Sequence, residues 1–257
     1  GCLGRLFRGH AIGCIQDPTS GREHEVGPLV RAEAPRRVVV VVGGGVAGLE
    51  AARVAALRGH TVTILEREAQ CGGQLVLARR APGREEIGAV VDNLMRALAR
   101  LPVELVTSVE ATAETVLSLA PDAVVLATGS TAFVPMELDD GYGRLVSTRE
   151  ALDGAMVGDP CLVFDTRGDM AGPTTAEFLA RSGRRVALVT SHPAFGTGIE
   201  PMTRRLLHER LAECGVDILA DHRVAALTET GVLVRHTVSG RETLLPDVAS
   251  VVAATGA

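Results

Sequence analysis

The chain has 257 residues, a formal net charge of −5, 46% apolar and 22% charged residues, one Tyr and no Trp. These proportions suit a globular protein with a buried core, and they lack the basic footprint and aromatic platform that nucleic-acid binding uses, so no nucleic-acid partner is expected. No apolar run approaches the ~20 residues of a membrane-spanning helix, so no membrane partner is expected either. The opening Gly1-Cys2-Leu3-Gly4-Arg5 has no apolar core or cleavage site of a secretory signal, which points to a cytoplasmic setting. Five scattered cysteines (Cys2, Cys14, Cys71, Cys161, Cys214) do not form a disulfide framework and read as free thiols or metal ligands. At roughly 100–200 residues per domain the length predicts two domains. The first residue is not Met, and the chain stops at Ala254-Thr255-Gly256-Ala257 directly after an apolar run, so a fragment of a larger polypeptide is expected.

Residues 1–34 mix Cys, Gly, Arg and His without apolar periodicity and read as a loop-rich lead-in. From Arg37 the pattern sharpens. Residues 38–42 are an unbroken β-branched run, as in a strand covered on both faces of a parallel sheet. Residues 46–58 follow as an Ala- and Leu-rich helix ending on Gly59, which suits the left-handed position after a helix. A strand at 61–65 completes a βαβ unit. Ile87, Val91, Leu94 and Leu98 then recur at helical spacing, and 103–107 and 123–127 read as strands with a short helix between them. A second alternating set begins with a strand at 161–164, continues with a helix opened by Pro173, and reaches a strand at 186–190. After a strand at 216–220, the segments 223–228, 231–237 and 242–245 read as short antiparallel strands, and 250–254 as a strand crossing back. The predicted fold class is α/β, with two tandem Rossmann-like domains. The expected divisions are a lead-in at 1–34, a first nucleotide domain at 35–135, a second at 136–249, and the start of a return to the first at 250–257.

Gly43-Gly44-Gly45-Val46-Ala47-Gly48 is a G-x-G-x-x-G run set between a strand and a helix, the context that gives this motif meaning. Gly43 permits the tight turn, Gly45 admits a diphosphate with no Cβ in the way, and Gly48 lets the helix lie close on the sheet. The helix N-terminus adds unpaired N–H groups and partial positive charge. Eighteen positions after Gly48 stands Glu66, the acidic residue expected about 20 residues on for a ribose 2′-OH; its carboxylate would repel a 2′-phosphate, which selects ADP, FAD or NAD over NADP. Gly72-Gly73-Gln74-Leu75 and Ala127-Thr128-Gly129 follow in order, with glycines that let backbone pass close to a nucleotide. The residues expected at the nucleotide are therefore Gly43, Gly45, Val46, Ala47, Gly48, Glu66, Arg67, Gly73, Gln74, Ala127, Thr128 and Gly129.

Those motifs, with Cys71-Gly-Gly-Gln-Leu75, Pro82-Gly-Arg-Glu-Glu86 and the lead-in Cys2 and Cys14, make nearly the whole chain resemble the C-terminal part of the trimethylamine dehydrogenase and 2,4-dienoyl-CoA reductase group of flavin oxidoreductases. The resemblance implies a parent enzyme with an N-terminal (β/α)₈ barrel holding FMN, a four-cysteine [4Fe–4S] cluster, and electron transfer to a dinucleotide or external acceptor. It also implies that Cys2 and Cys14 are the last two cluster ligands; four are usual, so two cannot hold a cluster alone. Cys71, Cys161 and Cys214 read as structural. The implied partners are the FMN barrel of the same polypeptide and an external electron carrier or NAD(P)H, with a homo-oligomer left open. The small subunit of glutamate synthase also joins a cysteine-rich lead-in to tandem Rossmann domains, but its lead-in carries more cysteines.

Sliding the sequence by 124 positions lays the first βαβ unit on the second repeat and places Gly43 and Gly45 on Arg167 and Asp169, Gly48 on Gly172, and Glu66 on Thr190. In that register the second domain reads as degenerate and unable to use NAD(P)H. Three functions follow: the dinucleotide-binding and electron-transfer part of an FMN/[4Fe–4S] oxidoreductase acting on an amine or enoyl-type substrate; a reductase module with FAD on the first domain and NAD(P)H on the second; or a non-catalytic module in which ADP only stabilises the fold.

Overall fold

The computed structural model describes residues 2–7, 9–26, 35–135, 138 and 143–256, without the side chains of Cys2 and Leu3. The chain divides into two compact units: one runs through residue 130, and the other starts at 131 and also takes in Arg80–Gly83. Among the described residues no helix is long and apolar enough to cross a membrane.

In the first unit two short helices, α1 (Cys2–Leu6) and α2 (Glu23–Val26), lie in the lead-in. Then come β1 (Val38–Val42), α3 (Val46–Leu57), β2 (Thr61–Leu65), α4 (Gln74–Ala78), a 3₁₀ turn at Glu85–Gly88, α5 (Ala89–Leu98), β3 (Val103–Val106), α6 (Ala113–Ser118) and β4 (Ala123–Leu126). The strands form a parallel sheet in the order β3-β2-β1-β4. Val39 and Val41 of β1 pack with Leu49 and Ala52 of α3 and Val91 and Leu98 of α5, whereas Val40 packs with Leu65 and Val116 on the opposite face. Period-two alternation sends neighbours to opposite faces, and both faces are covered, so the strand reads as an unbroken valine run.

The second unit contains β5 (Leu145–Ser147), α7 (Thr148–Asp153), β6 (Cys161–Asp165), α8 (Ala171–Arg181), β7 (Val186–Thr190), α9 (Pro201–Glu213), β8 (Asp217–Leu219), β9 (His222–Thr228), β10 (Gly231–His236), β11 (Glu242–Pro246) and β12 (Ser250–Ala254). Its parallel sheet runs β5-β12-β6-β7-β8, and β9, β10 and β11 form an antiparallel meander. Val163, Leu188 and Val252 pack against Leu179, Leu207 and Leu211, while Leu162, Phe164, Val189 and Val251 pack against Val224, Val232 and Val234 of the meander.

The segment 250–254, expected to open a return to the first domain, is β12, hydrogen-bonded in register between β5 and β6 of the second unit's own sheet. Its position completes a repeat. The order β8-β7-β6-β12 reproduces β3-β2-β1-β4, and each fourth strand runs into the same triplet, Ala127-Thr128-Gly129 in one unit and Ala254-Thr255-Gly256 in the other. Helices α7 and α9 carry little apolar periodicity and were not anticipated. Ser147 and Glu150 close a capping box that starts α7. Glu200 caps the Met202 and Thr203 N–H groups, and Pro201 supplies the first turn of α9, in which only Leu207 and Leu211 are fully buried.

Candidate nucleotide-binding site

The turn between β1 and α3 has three residues, and Gly43, Gly45 and, in the first turn of α3, Gly48 each have a different physical cause. Gly43 has φ +106, and a Cβ there would lie 2.4 Å from the Ala127 carbonyl oxygen, so the turn and the end of β4 pack backbone to backbone. A Cβ on Gly48 would stand 1.9 Å from the Gly43 oxygen and 3.2 Å from Val41 Cγ1, which fixes how closely α3 lies on the sheet. Gly45 differs from both. It has φ −70, and among the described residues no atom beyond its two chain neighbours comes within 4 Å of where its Cβ would stand. The space in front of Gly45 is open, at the start of a helix whose first turn has no side-chain cap, so N–H groups without intrahelical partners face it.

Glu66 follows the last residue of β2 and is buried. Its Oε2 accepts the Gly44 N–H at 2.5 Å and its Oε1 accepts the Glu68 N–H at 2.8 Å. An ionised carboxylate has about four lone-pair sites, so two remain for hydroxyl donors. The neighbouring Arg67 is exposed and pairs with Glu68. The Cys71-Gly72-Gly73-Gln74 loop docks on the same turn: the Gly72 N–H bonds the Gly44 carbonyl at 2.8 Å, and a Cβ on Gly73 would lie 3.1 Å from Gly45 Cα. Gln74 Nε2 donates to Ser130 Oγ at 3.2 Å, beside Gly129. The structure therefore gathers Gly43, Gly45, Val46, Ala47, Gly48, Glu66, Gly73, Gln74, Ala127, Thr128 and Gly129 at the C-terminal edge of one parallel sheet, where ligands of open α/β sheets bind. Sequence reasoning passed over Gly44, where a Cβ would meet Cys71 Sγ at 2.6 Å and Glu66 Oε2 at 2.9 Å.

The cysteines sort by environment. Cys71 is buried behind the turn, and burial, helped by the Glu66 carboxylate, pushes its thiol pKa up. Cys161 is buried in β6, and burial pushes it up to about 11. Cys214 packs half-buried against the second core. Cys14 alone of these is exposed, and its sulfur accepts the Gln16 N–H at 3.3 Å. The Cys2 thiol lies outside the described residues. Among the described residues no group of three or more His, Cys, Asp or Glu gathers to hold a metal.

In the second unit the ungapped shift of 124 fails at the corresponding turn. Strands β1 and β6 start at 38 and 161, 123 apart, and helices α3 and α8 start at 46 and 171, 125 apart. The turn between β6 and α8 is thus two residues longer, five residues against three, and Arg167 and Asp169 do not stand where Gly43 and Gly45 stand. Asp169 accepts the Ala171 N–H at 2.9 Å and pairs with Arg167 at 2.7 Å. Gly172 keeps the close helix-to-strand contact, since a Cβ there would lie 2.8 Å from that of Asp165.

Two parallel sheets of matching strand order, one of which meets an open glycine turn and a buried carboxylate at its C-terminal edge, define a dinucleotide-type oxidoreductase fold. The sequence profile of the pyridine nucleotide-disulphide oxidoreductases matches residues 37–257, and the chain belongs to that family. Its relatives place it, as the resemblance implied, in the trimethylamine dehydrogenase and 2,4-dienoyl-CoA reductase group. It is 39% identical over 238 residues to an N,N-dimethylglycine/sarcosine dehydrogenase of Chromohalobacter salexigens, covering 87% of this chain and 34% of that protein. It is 37% identical over 191 residues to a cinnamate reductase of Clostridium sporogenes, covering 74% and 28%. The solved structure of a 6-hydroxypseudooxynicotine amine oxidase from Pseudomonas geniculata superposes with a TM-score of 0.92 at 28% identity, over 99% of this chain and 40% of that one. The chain therefore spans about a third of the length of the curated relatives it matches.

Proposed function

We propose that the first unit binds the ADP half of FAD, or ADP itself. The diphosphate lies over Gly45 at the N-terminus of α3, against Gly43, Val46, Ala47 and Gly48, and the ribose lies on Glu66. Arg67, Gly73, Gln74 and the Ala127-Thr128-Gly129 triplet line the remainder of the site. The observation that carries this reading is the open space at Gly45, the one glycine of the motif whose missing Cβ no protein atom explains. A diphosphate over Gly45 would supply the contact that keeps a Cβ out of that space. A flavin there would supply the redox chemistry; the chain's own part is to bind, orient and electrostatically match the diphosphate.

On the same reading the chain is the dinucleotide-binding and electron-transfer portion of a larger flavin oxidoreductase. An FMN barrel and a [4Fe–4S] cluster complete it, with Cys2 and Cys14 supplying two of four thiolates and an external carrier exchanging electrons. The exposure of Cys14 and the N–H donated to its sulfur suit a cluster thiolate. Of the two substrate classes, the amine is favoured, because the dehydrogenase of an N-methylated amino acid matches at higher identity and coverage than the cinnamate reductase.

Gly45→Val tests the nucleotide site, because the backbone there is ordinary and the added Cβ meets no described atom within 4 Å beyond the neighbouring residues. Calorimetric titration is expected to show ADP and FAD affinity falling by about a hundredfold or more, about 2.7 kcal/mol, at an unchanged melting temperature. Unchanged affinity in a folded variant overturns the assignment.

A further inference from the structure

The second unit repeats the strand order of the first, and the same edge of its sheet carries a strand-to-helix turn, yet that turn is filled from within. Asp165, the last residue of β6, is fully buried. Its Oδ1 accepts the N–H groups of Arg167 at 2.9 Å and Gly168 at 3.0 Å. Its Oδ2 is buried and has no hydrogen-bond partner among the described residues. Asp169, two residues before α8, takes the Ala171 N–H. Two carboxylates of the chain thus consume three N–H groups of the turn and first helical residue.

A second segment covers the outer side of the turn. The Gly198 N–H bonds the Gly168 carbonyl at 2.8 Å, the His192 ring meets the Thr166 carbonyl at 3.1 Å, and a Cβ on Gly168 would lie 2.5 Å from Thr197 Oγ1. The corresponding glycine turn of the first unit has open space in front of Gly45. Glu66 takes the Gly44 N–H there from behind, at the end of the neighbouring strand, and leaves that space clear. Asp165 reaches its N–H groups from the turn's own strand.

We propose that Asp165 is a built-in occupant of the second unit's anion position. Its carboxylate holds the N–H of Gly168, the third residue past β6 as Gly45 is the third past β1, and it thereby confines nucleotide binding to the first unit. The inference differs from the one the sequence suggested. Arg167 and Asp169 neutralise each other as an ion pair, and the deciding residue is Asp165, two positions before Arg167 and four before Asp169. A buried carboxylate with one unpartnered oxygen is an unfavourable thing to keep, and burial accordingly raises its pKa even against two N–H donors. Occupying the turn is a role that accounts for it.

The test follows the backbone amide resonances of Arg167 and Gly168 in the whole protein during titration with inorganic pyrophosphate, for the wild type, Asp165→Ala and Asp165→Asn. The wild type is expected to show no saturable shift at either amide. Asp165→Asn is expected to match it, because the carboxamide oxygen still accepts both N–H groups. Asp165→Ala frees them and is expected to bind at least about tenfold more tightly than the wild type, about 1.4 kcal/mol. An alanine variant that fails to fold beside a folded, unresponsive asparagine variant also supports the proposal. Saturable shifts in the wild type or in Asp165→Asn overturn it, as does a folded alanine variant that stays unresponsive. The inference uses the nucleotide reading of the first unit only for comparison. Failure of that reading would appear separately, as Gly44 and Gly45 amides that ADP leaves unmoved.

Discussion

The two strand-to-helix turns start from the same sheet order and end in opposite states. In the first unit three glycines make a short turn, and the acid that steadies it, Glu66, comes from the neighbouring strand and leaves the front of Gly45 empty. In the second unit the turn is two residues longer and the acid, Asp165, belongs to the strand that feeds it, so the carboxylate folds back onto the N–H groups just beyond it. A Rossmann-like order of elements therefore does not make a nucleotide site. The source of the carboxylate and the length of the turn decide whether the N–H groups at the helix entry face a ligand or the chain itself.

The largest effects are expected at the glycines that hold each helix to its sheet. Gly48→Ala places a Cβ 1.9 Å from a backbone oxygen that cannot rotate away, and is expected to lower unfolding free energy by about 3 kcal/mol or more. The counterpart Gly172→Ala meets the Asp165 side chain at 2.8 Å and is expected to cost about 1–3 kcal/mol. Urea midpoints of the two variants check both the sizes and their order. An effect of similar size, on binding rather than on folding, is expected at the acid of the open turn. Glu66→Gln puts an amide where a carboxylate accepts two backbone N–H groups, and ADP affinity should fall by about 1–3 kcal/mol, read by calorimetry. An equal loss of affinity for adenine alone would place the effect away from the ribose and diphosphate.

The acid of the closed turn gives a subtler signal, in pH. Because burial raises the Asp165 pKa in the folded chain, the folded state keeps a proton that the unfolded state has released. Wild-type stability therefore falls as pH climbs from the ordinary aspartate range through the folded value, and levels off above it. Asp165→Asn has no such proton, so its stability relative to the wild type should rise across the same window. A relative stability that is flat with pH would mean that the carboxylate is not desolvated. The smallest expected effect leaves both turns intact: a thiol reagent should modify Cys14 in the native protein and reach Cys71 and Cys161 only on unfolding, because the latter two are buried with raised thiol pKa values. Mass spectrometry of the labelled peptides would decide it.

What was legible in the sequence was what is local and residue-specific. The 43–48 run and Glu66 could be read because each position demands one residue type within about 25 residues of chain. Three features escaped, each for a physical reason. Helix α9 hides because Leu207 and Leu211 alone make its buried face. The run Ser250–Ala254 is buried throughout, and a strand covered on both faces carries no alternation to say which sheet it joins. Asp165 looks like any strand-ending aspartate, since its role depends on a turn length that an ungapped shift cannot register. Cys2 and Cys14 are assigned by resemblance, because two cysteines carry no four-thiolate signature of their own.

The central claim, one nucleotide site per chain and that site in the first unit, is tested most directly by a crystal structure of the whole protein grown with ADP in excess. The account predicts density for a diphosphate against Gly45 with the ribose on Glu66, and none at the turn between β6 and α8. A diphosphate seated on the N–H groups of Arg167 and Gly168, or ADP bound with its ribose away from Glu66, would contradict it.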